Sequence, residues 1–333
     1  MFQGEIDFVI LWVDGSDPAW RDELIKARHD AGRDADSSEI RFRDWDNLRY
    51  WFRSVERYAP WVRRIHFITW GHLPKWLNLS HPKLNIVRHE DILQKEYRPT
   101  FNSNVIELNI HRIEGLAERF VLFNDDTFLL RENSPEEFFS QEGLPCDMAR
   151  LSLVQASSIG HTIYNCLELL NAHHSRRELN KHLSKWINLR YRVSDIIKTI
   201  TLLPWSFFPG FYDHHMPQAY LKSSFDTAWQ RWHKELDRAC RNHLRELSDL
   251  SHWLIRYDRL ICGEFSARNF NDCRLFTIED SSIDDICHSI KSKRYRMACL
   301  NDGVNISNFA ECRDRLKEAF NATLPSISSY EEL

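Results

Sequence analysis

Two apolar stretches of the chain end in closely spaced acids. Phe120 to Phe123 stops at Asn124-Asp125-Asp126, and Ile6 to Val13 stops at Asp14-Gly15-Ser16-Asp17. Hard divalent cations take oxygen ligands and bridge to substrate phosphates, so Asp125 and Asp126 suit a metal–nucleotide site. An acidic pair after a strand is also what a solvated turn or helix cap looks like. In the first turn, Gly15 lies between Asp14 and Asp17 just ahead of Pro18. Backbone amides and a helix N-terminus there could hold a phosphate or a ribose, or the stretch could be a plain turn with an N-cap. The second acidic strand end tips the balance toward function. Asp213-His214-His215-Met216-Pro217 offers a histidine on a backbone restrained by the following proline. Imidazole is suited to accept a hydroxyl proton near neutral pH, although the chain has 16 histidines and a structural role is the ordinary one. Arg245 and Asp249, one turn apart on an expected helix, form either a surface pair or an arginine held ready for a phosphate; spacing leaves both open.

These residues need elements to position them. Ile6 to Val13 has the Ile/Val richness of a buried strand, and Asp17 should cap a helix starting at Pro18. Asp30 to Glu39 loses periodicity and reads as a loop. Leu48, Trp51, Phe52 and Val55 recur at helical spacing between Asp46 and Tyr58. Ile65 to Trp70 and Leu84 to Val87 read as strands, Asn104 to Glu118 as helix, and Phe120 to Phe123 as a further strand. Strands alternating with helices predict an α/β fold, a mostly parallel sheet with helices on both faces, whose ligands sit outside the carboxyl ends of the strands. Beyond residue 151 the pattern turns helical, over Thr162 to His174, Arg176 to Leu189 and Asp226 to Asn242, which predicts an inserted helical lobe. Strand and helix return at Arg296 to Leu300 and Phe309 to Phe320. The expected organisation is an α/β part over 1–150, a helical lobe carrying the histidine segment over 151–240, and a returning α/β part over 241–333.

A net charge of -4 gives no electrostatic reason to expect nucleic acid, so basic stretches such as Arg41 to Arg64 need local explanations. Eight cysteines without a CxxC pair argue against a metal–thiolate site, and the absence of a signal-peptide pattern predicts reduced thiols in the cytoplasm. Ile196 to Phe211, the most apolar stretch, is shorter than the roughly 20 residues of a membrane span, so any membrane contact is expected to be peripheral. Twelve Trp and twenty Phe serve mainly as core, and a non-catalytic glycan-binding module built on them fits poorly with two acidic strand ends.

Taken in order, IDFVILWVDGSDPAW (Ile6 to Trp20), RDWDNLRYWFRSVERYAPWVRRIHFITWG (Arg43 to Gly71), FNSNVIELNIHRIEGLAERFVLFNDD (Phe101 to Asp126), DHHMP, RELSD and CLNDGVN (Cys299 to Asn305) resemble the Stealth family of hexose-1-phosphate transferases. The resemblance implies a GT-A-like or Rossmann-like nucleotide-sugar transferase assisted by Mg2+ or Mn2+. It would move a sugar-1-phosphate from a UDP-sugar to an oligo- or polysaccharide, release UMP, and build bacterial capsule or another surface glycan at the inner face of the plasma membrane. It assigns catalysis to Asp126, His215 and Arg245, and substrate binding to Asp14, Gly15, Asp17, Asn104, His111, Arg112, Asp249 and Asn301. Asp125, Asp126 and Asp302 would hold the metal. The rival is a GT-A-type glycosyltransferase that uses the same donor and releases UDP.

Overall fold

The computed structural model describes residues 4–33 and 44–332. Four parallel strands, β1 (Ile6–Leu11), β2 (Ile65–Thr69), β3 (Leu84–Arg88) and β4 (Arg119–Phe123), form the main sheet. Three shorter strands follow, β5 (Thr127–Leu129), β6 (Cys146–Asp147) and β7 (Gln218–Leu221), and then β8 (Ser266–Ala267), β9 (Cys273–Ile278) and β10 (Met297–Asp302). The main sheet runs β3-β2-β1-β4-β7 with β7 antiparallel at its edge, so the fold is α/β and mostly parallel. β1 is buried on both faces, as its continuous apolar run requires. Phe8 and Ile10 enter one core with Phe67, Val121 and Phe123, while Val9 enters the other with Ile68, Phe120 and Leu122.

The chain steps outward from β1 to β2 and β3, then crosses back to β4 on the other side of β1. Strand order therefore reverses between β1 and β4, and the crevice beyond their carboxyl ends is where an open α/β sheet binds ligand. Helix Leu48–Tyr58 covers one face with Leu48, Trp51, Phe52 and Val55, and Trp51 meets Phe123 edge-on at 5.4 Å between ring centroids. A second sheet, β5-β10-β9, continues from β4 and brings the late segment of the chain beside it.

Beyond residue 151 the first long helix is Ser158–His173, and Trp253–Ile261 packs against it. Several expected helices are shorter. The reading over Asn104 to Glu118 resolves into Ser103–Leu108 and a 3-10 turn, Ile110–Arg112, because the Asn109 side chain turns back to donate to Val105 O at 2.8 Å. Arg176–Leu189 divides into Arg176–Asn180 and Leu183–Trp186, and Asp226–Asn242 into Lys222–Arg231 and His233–Cys240. The helix expected across Arg245 and Asp249 does not form. Asp249 instead accepts the Glu246 N–H at 3.1 Å, closing a turn. Residues 34–43, with most of the expected Asp30–Glu39 loop and both Arg41 and Arg43, lie outside the described residues.

A buried ionic knot ties β6 and β7 to helix Trp253–Ile261. Asp147 accepts from Arg256 Nε and Nη2 at 3.0 and 2.9 Å, Arg259 Nη2 at 2.6 Å and Gln218 Nε2 at 3.0 Å. Burial alone would raise its pKa, but the Arg256 charge and the His214 contact outweigh that and hold the carboxyl well below its usual range. His214 accepts the Met216 N–H at Nδ1 (3.1 Å), which puts its ring proton on Nε2, 3.4 Å from Asp147 Oδ1. The ring also stacks on Phe270 at 3.7 Å.

Candidate active site

The acids at the two strand ends meet in one cleft of about 340 Å³ at the switch point. Asp14 and Gly15 line it from β1, and Asp125 and Asp126 from β4. Asn301 and Asp302 arrive from β10, held in register by Leu300 N–H donating to Asp126 O at 2.8 Å. Gly303 must follow, because a Cβ at that position would run into Ile278 O.

Five carboxylates line this cleft, Asp14, Asp44, Asp125, Asp126 and Asp302, and none of its described lining residues is Lys, Arg or His. Among the described residues, Asp126 Oδ2 accepts only the weak Cys299 thiol donor at 3.3 Å, and its buried Oδ1 has no hydrogen-bond partner. Burial raises the Asp126 pKa against the thiol contact. Asp125 is reached by water from the cleft but is walled by protein on its other sides. That loss of solvent, followed by the Asp126 charge, pushes its pKa up to about 7. Asp44 is raised by burial and then by the neighbouring Asp46 and Asp14 charges, against the Asp46 N–H it accepts. An all-oxygen donor set with an excess of negative charge fits a hard divalent cation.

The first turn is tied down on its outer side. Asp17 caps helix Pro18–Asp30 by accepting the Trp20 N–H at 3.0 Å, and this backbone bond is the main reason its pKa is lowered. Asp14 accepts from Ser16 N and Oγ at 2.8 and 2.6 Å, and its own N–H donates to His72 Nε2 at 2.7 Å. His72 Nδ1 lies 3.5 Å from Asp17, and burial keeps the ring's pKa below its usual value. Neither His72 nor the Asp44–Asn47 wall was singled out from the sequence. The Trp-Gly-His after β2 and the Asp-Trp-Asp-Asn before helix Leu48–Tyr58 were the available signals.

His215 is exposed and carries φ +53, an uncommon conformation for a residue with a Cβ. Its buried neighbours His214 and Met216 fix the turn on either side, and it lies close enough for its charge to bear on Asp126. Left-handed backbone held by surrounding structure is frequent at functional sites.

Residues 4–32 match Stealth protein CR1, conserved region 1, and residues 41–147 match Stealth protein CR2, conserved region 2. Over 333 residues the chain is 39% identical to a capsular polysaccharide phosphotransferase, WcwK, of Streptococcus pneumoniae, with 98% of each chain covered. The chain belongs to the Stealth family of phosphotransferases. It is also 35% identical to the exopolysaccharide phosphotransferase cps2G of Lactiplantibacillus plantarum, over 98% of this chain and 96% of that one. Among solved structures it has a distant likeness to the galactosyltransferase LgtC, with TM-score 0.38 and 9% identity over 97% and 98% of the two chains.

The remaining site residues expected of a Stealth enzyme fall into two further places. Asn104, Arg245 and Asp249 form a group next to the end of the first helix, where Arg33 donates to Arg245 O at 2.9 Å. Asp249 is buried and accepts from Asn102 Nδ2 at 2.8 Å, Asn104 Nδ2 at 3.3 Å and Asn242 Nδ2 at 2.8 Å. Arg245 is exposed and donates to Ser103 Oγ at 2.9 Å rather than pairing with Asp249. Asp249 thus organises the loop that carries Arg245. His111 and Arg112 lie apart from both groups. His111 packs against Phe225 and Trp229 with centroids 5.8 and 5.9 Å away, and Arg112 lies over Trp229 at 4.9 Å. Burial, helped by the Arg112 charge, pushes the His111 pKa down to about 3. A second cluster with metal-ligand chemistry, His174, Asp258 and Cys262, joins the end of helix Ser158–His173 to helix Trp253–Ile261. There both His174 nitrogens already meet carboxylates, Glu178 and Asp258, each at 2.5 Å, and Arg231 also binds Asp258.

Proposed function

We propose that this Stealth phosphotransferase transfers a hexose-1-phosphate from a UDP-sugar to a hydroxyl of a glycan, releasing UMP, in the synthesis of bacterial capsule or another surface polysaccharide. The observation that carries the reading is the cleft lined by five carboxylates and no described cationic side chain. A nucleoside-diphosphate sugar is itself anionic, so such a cleft accepts it only together with a cation. The polysaccharide phosphotransferases named above support the glycan acceptor.

Asp125, Asp126 and Asp302 would hold Mg2+ or Mn2+, which when bound neutralises charge on the diphosphate. The turn from Asp14 to Asp17, fixed by His72, would face the nucleotide, with Asn301 beside it. The acceptor oxygen forms a bond to the sugar-bound phosphorus as the phosphorus–oxygen bond to UMP breaks, and UMP leaves with that electron pair. His215 takes the proton from the acceptor hydroxyl, and Arg245, on the loop organised by Asp249, offers its guanidinium to the transferred phosphoryl group. Positioning and electrostatics supply most of the rate in such a displacement.

The test is to incubate the protein with UDP-N-acetylglucosamine and other UDP-hexoses, Mg2+ or Mn2+, and a panel of oligosaccharides, then identify the nucleotide released. Metal-dependent UMP, absent from Asp126→Asn, is expected. UDP in its place would make the protein a glycosyltransferase and end this mechanism.

A further inference from the structure

Helix Val193–Leu202 sets Ile196 and Leu202 against the cores and yet leaves a second apolar stripe in water. Its buried side holds Asp195, paired with Arg150 Nη1 at 2.6 Å, and Thr199, whose Oγ1 accepts the Leu151 N–H at 3.3 Å. Val193, Ile197 and Ile200, spaced i, i+4 and i+7 on one face, point to solvent. The chain on either side continues the apolar surface. Leu189 precedes the helix, and Trp205 and Phe207 follow it in edge-on contact at 5.8 Å. Exposure of these six side chains runs from 46% at Ile200 to 100% at Leu189. Leu153, next to a Ser152 whose N–H donates to Gly210 O at 3.1 Å, is exposed as well. Large apolar side chains exposed together along one helix face and its flanks mark a surface that something covers.

Charge selects the occupant. Across residues 187–207 the charged side chains are Arg190, Arg192, Lys198 and Asp195. The three cations are exposed, and the carboxylate is buried against Arg150. Apolar side chains flanked by cations, with Trp and Phe at one end, suit the boundary of a bilayer containing anionic lipid, where aromatic rings sit at headgroup level and lysine stems reach outward. At about 1.5 Å per residue the helix is far too short to cross about 30 Å of hydrocarbon, and no described helix is long and apolar enough to do so. We infer that this helix and its flanks lie flat in the surface of an anionic membrane and dock the enzyme there.

Sedimentation of the full chain with vesicles tests this directly. The expected result is binding to phosphatidylcholine vesicles containing phosphatidylglycerol, weaker binding to phosphatidylcholine alone, and a fall in binding as salt rises. Replacing the apolar face (Val193→Ser, Ile197→Ser, Trp205→Ser) should abolish binding while UMP release on a soluble acceptor stays unchanged. Arg192→Glu with Lys198→Glu should weaken anionic-vesicle binding by about fivefold or more per charge without affecting the melting temperature. Wild-type protein that stays in the supernatant with anionic vesicles at low salt would overturn the inference. So would serine variants that sediment like wild type, or a wild-type dimer that these variants turn into a monomer, which would make the face a contact between copies.

Discussion

Asp147 and Asp126 are both acids drawn into the protein, and they differ in what surrounds them. Asp147 is wholly buried among two guanidinium groups, an amide and a histidine, and its charge is satisfied on every side. Among the described residues, Asp126 has a thiol on one oxygen, no partner on the other, and carboxylates nearby. Their pKa values move in opposite directions for that reason. A compensated buried charge fixes the packing of a lobe, whereas an uncompensated one is a standing demand for a ligand of opposite sign.

The most severe way to test that contrast is Asp147→Ala. It would leave Arg256 and Arg259 buried without their anion, at a cost of about 3–5 kcal/mol. Loss of soluble folded protein, or a steep drop in urea midpoint, is expected; an unchanged midpoint would mean that the knot is not compensated as described. Asp126→Asn should do the reverse, lowering turnover by about 10²–10³-fold while the melting temperature holds or rises, because one of several like charges is removed. Stability lost in step with activity would place Asp126 in the same class as Asp147.

Two histidines repeat the contrast with the sign of charge reversed. His111 is buried among aromatic rings near Arg112, so the folded state refuses a proton that the unfolded chain accepts near pH 6.5. Its contribution to stability should be intact above that pH and decline as pH falls toward 3, by about 2 kcal/mol at pH 5. His111→Gln should flatten this acid limb in urea titrations. For His174, burial works against protonation, but the hydrogen bonds to Asp258 and Glu178 prevail and raise its pKa. That stabilisation is complete below about pH 6.5 and fades as pH rises through the folded value. The smallest of the four effects is expected in His174→Gln, as loss of the slope in stability that sets in above about pH 6.5.

The sequence made the strand-end acids legible because the signals are local. An apolar run stops, acids follow, and Asp17 sits one residue before a proline that starts a helix. The strand-and-helix alternation likewise exposed the parallel sheet, since each element carries its own periodicity. What stayed hidden depends on distant partners. Asp249 and Arg245 have helical spacing, but three asparagines from two other segments and the Glu246 amide claim the carboxylate. Nothing near His111 announces Phe225 and Trp229 as its neighbours. Asp302 entered the reading through family resemblance alone, and its approach to Asp126 follows from the pairing of β10 with β5, which no local pattern encodes.

The cleft has one wall in β1 and another in β10, and this sets when it can come into being. A chain emerging from the ribosome can complete β1 to β4 while its cleft still lacks Asn301 and Asp302. The Arg53–Glu331 ion pair, with contacts of 2.7 and 2.8 Å, similarly clasps an early helix to a segment made much later. Synthesis order therefore acts as a timer, and a nascent chain cannot assemble the full set of oxygen donors until β10 has been made.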